Sequence, residues 1–143
     1  MGYVLGKRSL SRLVGVHPDL VRVVHRAIEI TEVDFSVLEG VRSCKRQYEL
    51  LLAGASRTMN SRHIPALPKV PVPGMQMVGH AVDLGAWVGR ELRWDWPLYP
   101  PIARAMKQAA GEQNVAITWG GDWKSFRDGP HYELSWKAYP IGG

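Results

Sequence analysis

Cysteine is nearly missing from this chain, and so is any long apolar run. Cys44 is the one thiol among 143 residues, so no internal disulfide can form. A lone cysteine opening a helix-like run reads as a packed or idle thiol. No stretch approaches the roughly 18 apolar residues that a membrane span needs. The first twenty residues carry charges and a proline but no apolar core of a secretory signal. The chain is therefore expected to be made and folded in the cytoplasm, and to reach any outside target by another route. No internal repeat and no dividing linker is visible. A chain of this length fits one domain, which buries roughly 68% of its unfolded surface and needs no staple.

Acid is scarcer than base: 13 Asp and Glu face 18 Lys and Arg, a net charge of +5. Such an excess favours polyanionic surroundings. The basic residues are scattered, and Lys7, Arg8 and Arg12 are the nearest approach to a patch. Zinc-finger spacing, a basic helix and the usual nucleic-acid motifs are all missing. No specific nucleic-acid partner is expected. Weak attraction to an anionic envelope is compatible with the charge, and a non-catalytic basic binding protein remains an alternative reading.

Periodicity supplies the elements. "HPDLVRVVHRAIEIT" predicts a helix: Pro18 suits its first turn, and Leu20, Val23, Val24, Ala27 and Ile28 share one face. His17 reads as a cap or surface residue, His25 as a boundary one. "DFSVLEGVR" alternates Phe35, Val37, Glu39 and Val41, a strand with one compromised position. "SCKRQYELLLAGA" predicts a helix ending near Gly54, and "YPPIARAMKQAAGEQN" another, with Ile102, Ala105, Met106 and Ala109 on one face. "GHAVDLGAWV", "VAITWG" and "HYELSW" read as strands. Between them, residues 64–78 ("IPALPKVPVPGMQMV") hold four prolines, too many for a helix or a central strand. About three helices with short strands, outside strict βαβ alternation, predict an α+β domain with a mainly antiparallel sheet.

Candidate chemistry gathers on a few polar residues. "GGDWKSFRDGPHYELSW" places Asp128 three residues before His131 on a Gly- and Pro-rich loop. Either it is a turn into a strand, or it is a metal ligand with a base beside it. Catalytic zinc usually takes three protein ligands from His, Asp, Glu and Cys. His63 and His131 are available as co-ligands for Asp83, a carboxylate flanked by apolar residues that needs a partner to offset its desolvation. Strand alternation puts His80 and Asp83 on opposite faces, so His80 is only a fallback. Period two also puts Glu133 on the face of His131, which makes it a rival to Asp128 as base. Tyr132 points the other way, into the core. Trp119, Trp123 and Trp136 read as core residues more readily than as platforms for a substrate.

"SRH", "GHAVD" and "GGDWKSFRDGPHYEL", in that order, resemble the zinc peptidase family of D-Ala-D-Ala carboxypeptidases and L-alanyl-D-glutamate endopeptidases, and its phage endolysin branch most of all. Ser61 and His63 match its first element; Gly79, Ala81 and Asp83 its second; Asp128 and His131 its third. "LVGVHPDLVRVVHRAI" resembles its N-terminal helix, and "GVRSCKRQ" its region with a functional arginine. The resemblance implies a single catalytic domain over residues 1–143, with Zn²⁺ on His63, Asp83 and His131. It implies Asp128 as general base and Arg42 as stabiliser of the oxyanion or of a substrate carboxylate, against an ordinary ion pair. Ser61 reads as shaping a turn. The implied partner is the peptidoglycan stem peptide, cut between L-Ala and D-Glu, with terminal D-Ala-D-Ala as the alternative bond. The protein is expected to act as a monomer, made in a host cytoplasm and released to the wall. One departure stands out: fifteen residues, 64–78, follow His63 where the family usually has a short spacer. The ligand set then requires this segment to loop out and return, and a lid or rim beside the ion is the expected role.

Overall fold

The computed structural model describes residues 2–142. His17 opens the first long helix by accepting a hydrogen bond from Asp19 N at its Nδ1. This is the capping role the sequence suggests, and Pro18 follows at the first turn. Helix α2 spans Pro18–Ile30, and the five apolar positions of its predicted face are all buried. Leu20, Val23, Val24 and Ile28 each contribute about 1.5–3 kcal/mol when fully buried. A shorter helix, α1 (Lys7–Arg12), precedes it and was not anticipated. It consumes part of the expected basic patch: Arg12 donates to Val37 O, while buried Ser9 accepts from Val37 N through its hydroxyl.

Five strands form one antiparallel sheet: β1 (Asp34–Glu39), β2 (Ala81–Val88), β3 (Glu91–Arg93), β4 (Ile117–Trp119) and β5 (His131–Leu134). Their order is β1-β2-β5-β4, with β3 also pairing β2. Helix α3 (Cys44–Leu52) follows β1, capped by Ser43, whose hydroxyl accepts from Arg46 N. Helix α4 (Tyr99–Glu112) begins with two prolines in its first turn, where a missing N–H is harmless. Its alanines let it pack closely on α2. Phe35, Val37, Val82, Leu84, Ala86, Tyr132 and Leu134 of the sheet join the buried faces of α2 and α4 in one core. The α+β reading holds, with one helix and one strand more than the sequence suggested.

One irregularity decides what the other face carries. In β1, Val37 pairs with Leu84 and Glu39 with Asp83, so Leu38 is an extra residue. Such a bulge moves every later side chain to the opposite face. Plain alternation would have sent Glu39 into the core with Phe35 and Val37. The bulge sends it to the face of Asp83, which explains the compromised position in the strand pattern. Val41, which alternation also placed inside, is exposed.

Residues 64–78 loop out and return. Ala66 and Val78 pair at the base of the loop, and His80 N donates to Arg62 O. The rest leans on the C-terminal segment, with Lys69 N donating to Pro140 O and Gly142 N to Leu67 O.

Candidate functional site

Antiparallel register assembles the site. Glu39 lies opposite Asp83, and Asp83 lies opposite His131. Directly paired residues share a face, so three strands present one rung of polar side chains away from the helices. His63 approaches from the loop after α3. Its Nε2, the Oδ1 of Asp83 and the Nδ1 of His131 are each 3.2 Å from the other two. Two imidazoles and a carboxylate thus aim three donor atoms at one point, and they form the one such cluster among the described residues.

Both rings are held from behind. His63 Nδ1 lies 2.7 Å from Gly40 O and donates to it, which leaves Nε2 free to act as a donor of electrons. Glu133 Oε1 lies 2.7 Å from His131 Nε2. The strand spacing that makes Glu133 a rival base also sets it behind this ring. Gly40 has to be glycine, since a Cβ there would strike Arg12 O. Ser61 accepts from His63 N through its hydroxyl, the turn-shaping role expected of it.

The charges around this triangle favour a cation. Burial opposes ionisation of Asp83, yet the charge of His63 and hydrogen bonds from His131 and His63 outweigh it and hold the carboxyl well below its usual range. Burial likewise disfavours charged His131, but Asp83 and Glu133 overcome it and push the pKa up to about 9. Positive charge is stabilised here, as a bound proton or as a metal ion. The distances fit as well. Donors about 2.0–2.1 Å from a tetrahedral ion stand roughly 3.3 Å apart, close to the 3.2 Å of this triangle.

Asp128 is half-buried in the same cavity of about 620 Å³. A tight turn links it to the ligand strand: His131 N donates to Asp128 O at 3.2 Å. Gly120 permits the turn, because a Cβ there would meet Asp128 O and crowd His131. No hydrogen bond to the Asp128 carboxylate is formed by any described residue. Burial, then the charge of Asp83, raises its pKa. Arg42 also lines the cavity. Its guanidinium pairs with Glu39, donates to Gln47 Oε1 at 2.7 Å, and reaches Asp83 Oδ2 at 3.4 Å. The ion-pair reading of Arg42 is observed, and it fixes the guanidinium at the edge of the site.

Several expectations need correction. His80 is not a ligand; it lies on the far side of β2, buried, with its ring centroid 5.8 Å from that of His17. Residues 64–78 are no lid over this site, since none of them lines its cavity. Pro68, Val70, Pro71, Val72 and Pro73 instead wall a separate cleft with His17, Asp19, Arg22 and His80. Of the three tryptophans read as core, only Trp119 is buried. Trp123 and Trp136 line the site cavity, and the Trp123 ring lies 5.1 Å from that of His131. Of the two readings of Cys44, packed or idle, exposure excludes the packed one. Tyr132 is buried in the core as expected. Glu39 and Gln47 are functional neighbours that the sequence reading passed over. A glutamate in a core-phase strand position, just before Gly40, was the available signal for the first.

An α+β domain with a cation-ready donor set and a free carboxylate in one cleft has the makings of a hydrolase. Residues 1–135 match the family described as phage L-alanyl-D-glutamate peptidase. The L-alanyl-D-glutamate peptidase of Escherichia phage T5 is 26% identical over 99% of this chain and 96% of its own length. That of Listeria phage A118 is 29% identical over 78% of this chain, which spans 34% of that longer protein. The solved structure of Serratia marcescens L-Ala D-Glu endopeptidase ChiX superposes with a TM-score of 0.80 at 41% identity, covering 94% of this chain and 92% of that one. The chain belongs to the phage L-alanyl-D-glutamate peptidase family. It is a peptidoglycan-degrading hydrolase of the endolysin type.

Proposed function

We propose that the protein cleaves the L-Ala–D-Glu bond of the peptidoglycan stem peptide with Zn²⁺ held by His63 Nε2, Asp83 Oδ1 and His131 Nδ1. The observation that carries this reading is the triangle of donor atoms 3.2 Å on a side. Two imidazoles with one carboxylate suit zinc, whereas calcium and magnesium prefer all-oxygen surroundings. When bound, the ion supplies a more acidic water and polarises an amide carbonyl.

The chain's own groups do the rest. Asp128, unpaired and with its pKa raised, accepts the proton of the attacking water at a carboxylate oxygen and later passes it to the leaving amine. A group that must both take and give a proton works best near the ambient pH. Arg42, fixed by Glu39 and Gln47, offers N–H groups to the oxygen that becomes negative or to a substrate carboxylate. Glu133 and Gly40 O keep the two rings in orientation, as partners behind ligating imidazoles do elsewhere.

Residues 1–143 form one catalytic domain in this reading, with the Pro-rich insertion tying the C-terminal segment to the body. The protein works as a monomer on the wall after release from the cytoplasm, and its net charge of +5 assists attraction to an anionic envelope. Mass spectrometry of digested peptidoglycan tests the bond, with metal analysis alongside. New L-Ala carboxyl and D-Glu amino ends are expected, with one zinc per chain. Release of terminal D-Ala would instead indicate a carboxypeptidase. Full zinc content in Asp83→Ala would overturn the ligand set.

A further inference from the structure

Three arginines line the cavity that holds the donor triangle: Arg42, Arg57 and Arg62. Two are committed. Arg42 serves Glu39, Gln47 and Asp83. Arg62 is buried, donates to Leu134 O, Ser135 O and Tyr139 O, and stacks on Trp136. Arg57 is different. It makes no ion pair and no side-chain hydrogen bond among the described residues. Its guanidinium carbon sits 4.5 Å from the centre of the Phe126 ring. A cation–π contact of this kind steadies a guanidinium and uses none of its N–H donors.

The pair spans the cleft. Arg57 comes from the loop after α3, and Phe126 from the loop between β4 and β5. Phe126 has φ of 51°, a left-handed conformation that bulky residues avoid. The residue is 42% exposed. Non-glycine backbone held in that region is concentrated at functional sites. The cavity wall also carries four acids, Glu39, Asp83, Asp128 and Glu133, beside the two histidines of the donor triangle. Arg57 is the arginine of this wall without a protein hydrogen-bond or ion-pair partner among the described residues, so its N–H edges are open to an incoming carboxylate.

The substrate brings such a carboxylate. A glutamyl residue inside a peptide uses one carboxyl in its amide link and keeps the other free. We propose that Arg57, steadied on Phe126, binds the free carboxylate of the glutamyl residue on the leaving side of the scissile bond, and so determines specificity. The inference rests on the L-Ala–D-Glu reading above.

The test uses two synthetic stem peptides, one with the free glutamyl carboxylate and one with that carboxylate amidated. Wild-type protein should cleave the free acid with kcat/KM about 10–100-fold higher, the range a charge-assisted hydrogen-bonded pair commands. Arg57→Met should lose that preference through a raised KM for the acid peptide only, with zinc content and the amidated peptide's rate unchanged. Arg57→Lys should recover part of the preference. Phe126→Leu, which removes the platform but keeps the cation, should give a smaller KM rise on the acid peptide; it also serves if Arg57→Met does not fold. Equal wild-type rates on both peptides would overturn the proposal and leave the parent reading intact. So would a drop in Arg57→Met that is the same for both. A wild-type protein that cuts neither peptide at L-Ala–D-Glu would overturn the parent reading and this proposal with it.

Discussion

Two pairs of histidines lie on opposite sides of the same strand. His63 and His131 have ring centroids 5.0 Å apart; His17 and His80 have theirs 5.8 Å apart. All four are buried, yet they behave in opposite ways. Beside the first pair stands Asp83, and His131 is pushed up to about 9. The second pair has Asp19 on one side only, and that carboxylate is taken up by Arg22 and the Tyr139 hydroxyl. Burial, then Arg62 and His17, brings His80 down to about 4. Burial also lowers His17. Proximity of imidazoles does not make a cation site. A carboxylate aimed between them does, because it compensates a positive charge that burial alone would expel.

Removing the metal should break the comparison most completely. Chelation is expected to abolish hydrolysis, and Zn²⁺ rather than Mg²⁺ should restore it. His80→Ala and His17→Ala should leave zinc content intact, measured by elemental analysis of the purified proteins. Zinc lost from His80→Ala but kept in His63→Ala would exchange the roles of the two pairs.

Next in size is Asp128→Asn. Turnover should fall by about 10²–10⁴-fold, the usual weight of general acid–base catalysis, with zinc retained. Near-normal turnover in a zinc-loaded Asp128→Asn protein would move the base role to Glu133. Glu133→Gln sharpens the same point. Its carboxylate supports His131 from behind, so the expected effect is weaker zinc binding by about 10–100-fold. A competition titration against a chelator of known affinity measures it. Unchanged affinity with abolished turnover would mean that Glu133 acts on substrate instead.

The last effect concerns the other pair, and it touches stability rather than turnover. The unfolded chain takes up a proton at His80 near pH 6.5, whereas the folded chain resists until about pH 4. Stability from this site is therefore fully present above about pH 6.5 and is lost as the pH falls towards 4. The loss is about 3 kcal/mol if the whole shift is expressed. Denaturant titrations of wild type and His80→Phe at pH 7 and pH 4.5 read it directly. A His80→Phe protein that loses as much stability on acidification as wild type would remove His80 from this account.

Much was legible in the sequence because it follows local rules. The periodic faces of α2 and α4, the capping His17 and the exclusion of residues 64–78 from regular structure need only neighbouring residues to be read. Strand alternation likewise separated His80 from Asp83 and sent Tyr132 to the core. Asp83, Asp128 and His131 were marked by residue type and spacing, with the family resemblance supplying their roles. Tertiary structure decided the rest. Alternation misplaced Glu39 because one extra residue, Leu38, reverses the facing, and a bulge is fixed by pairing with β2 rather than by β1 alone. The Pro-rich segment begins one residue after His63, which suggested a lid. Its hydrogen bonds with Pro140 and Gly142 draw it instead towards the C-terminal segment. Trp123 and Trp136 share the side chain of Trp119, but only folding determines which ring faces a cavity. The sequence by itself determined which donors exist and which elements carry them. Only the tertiary structure brought residues 63, 83 and 131 to within 3.2 Å, because cross-strand register and a returning loop are contacts between segments far apart in the chain.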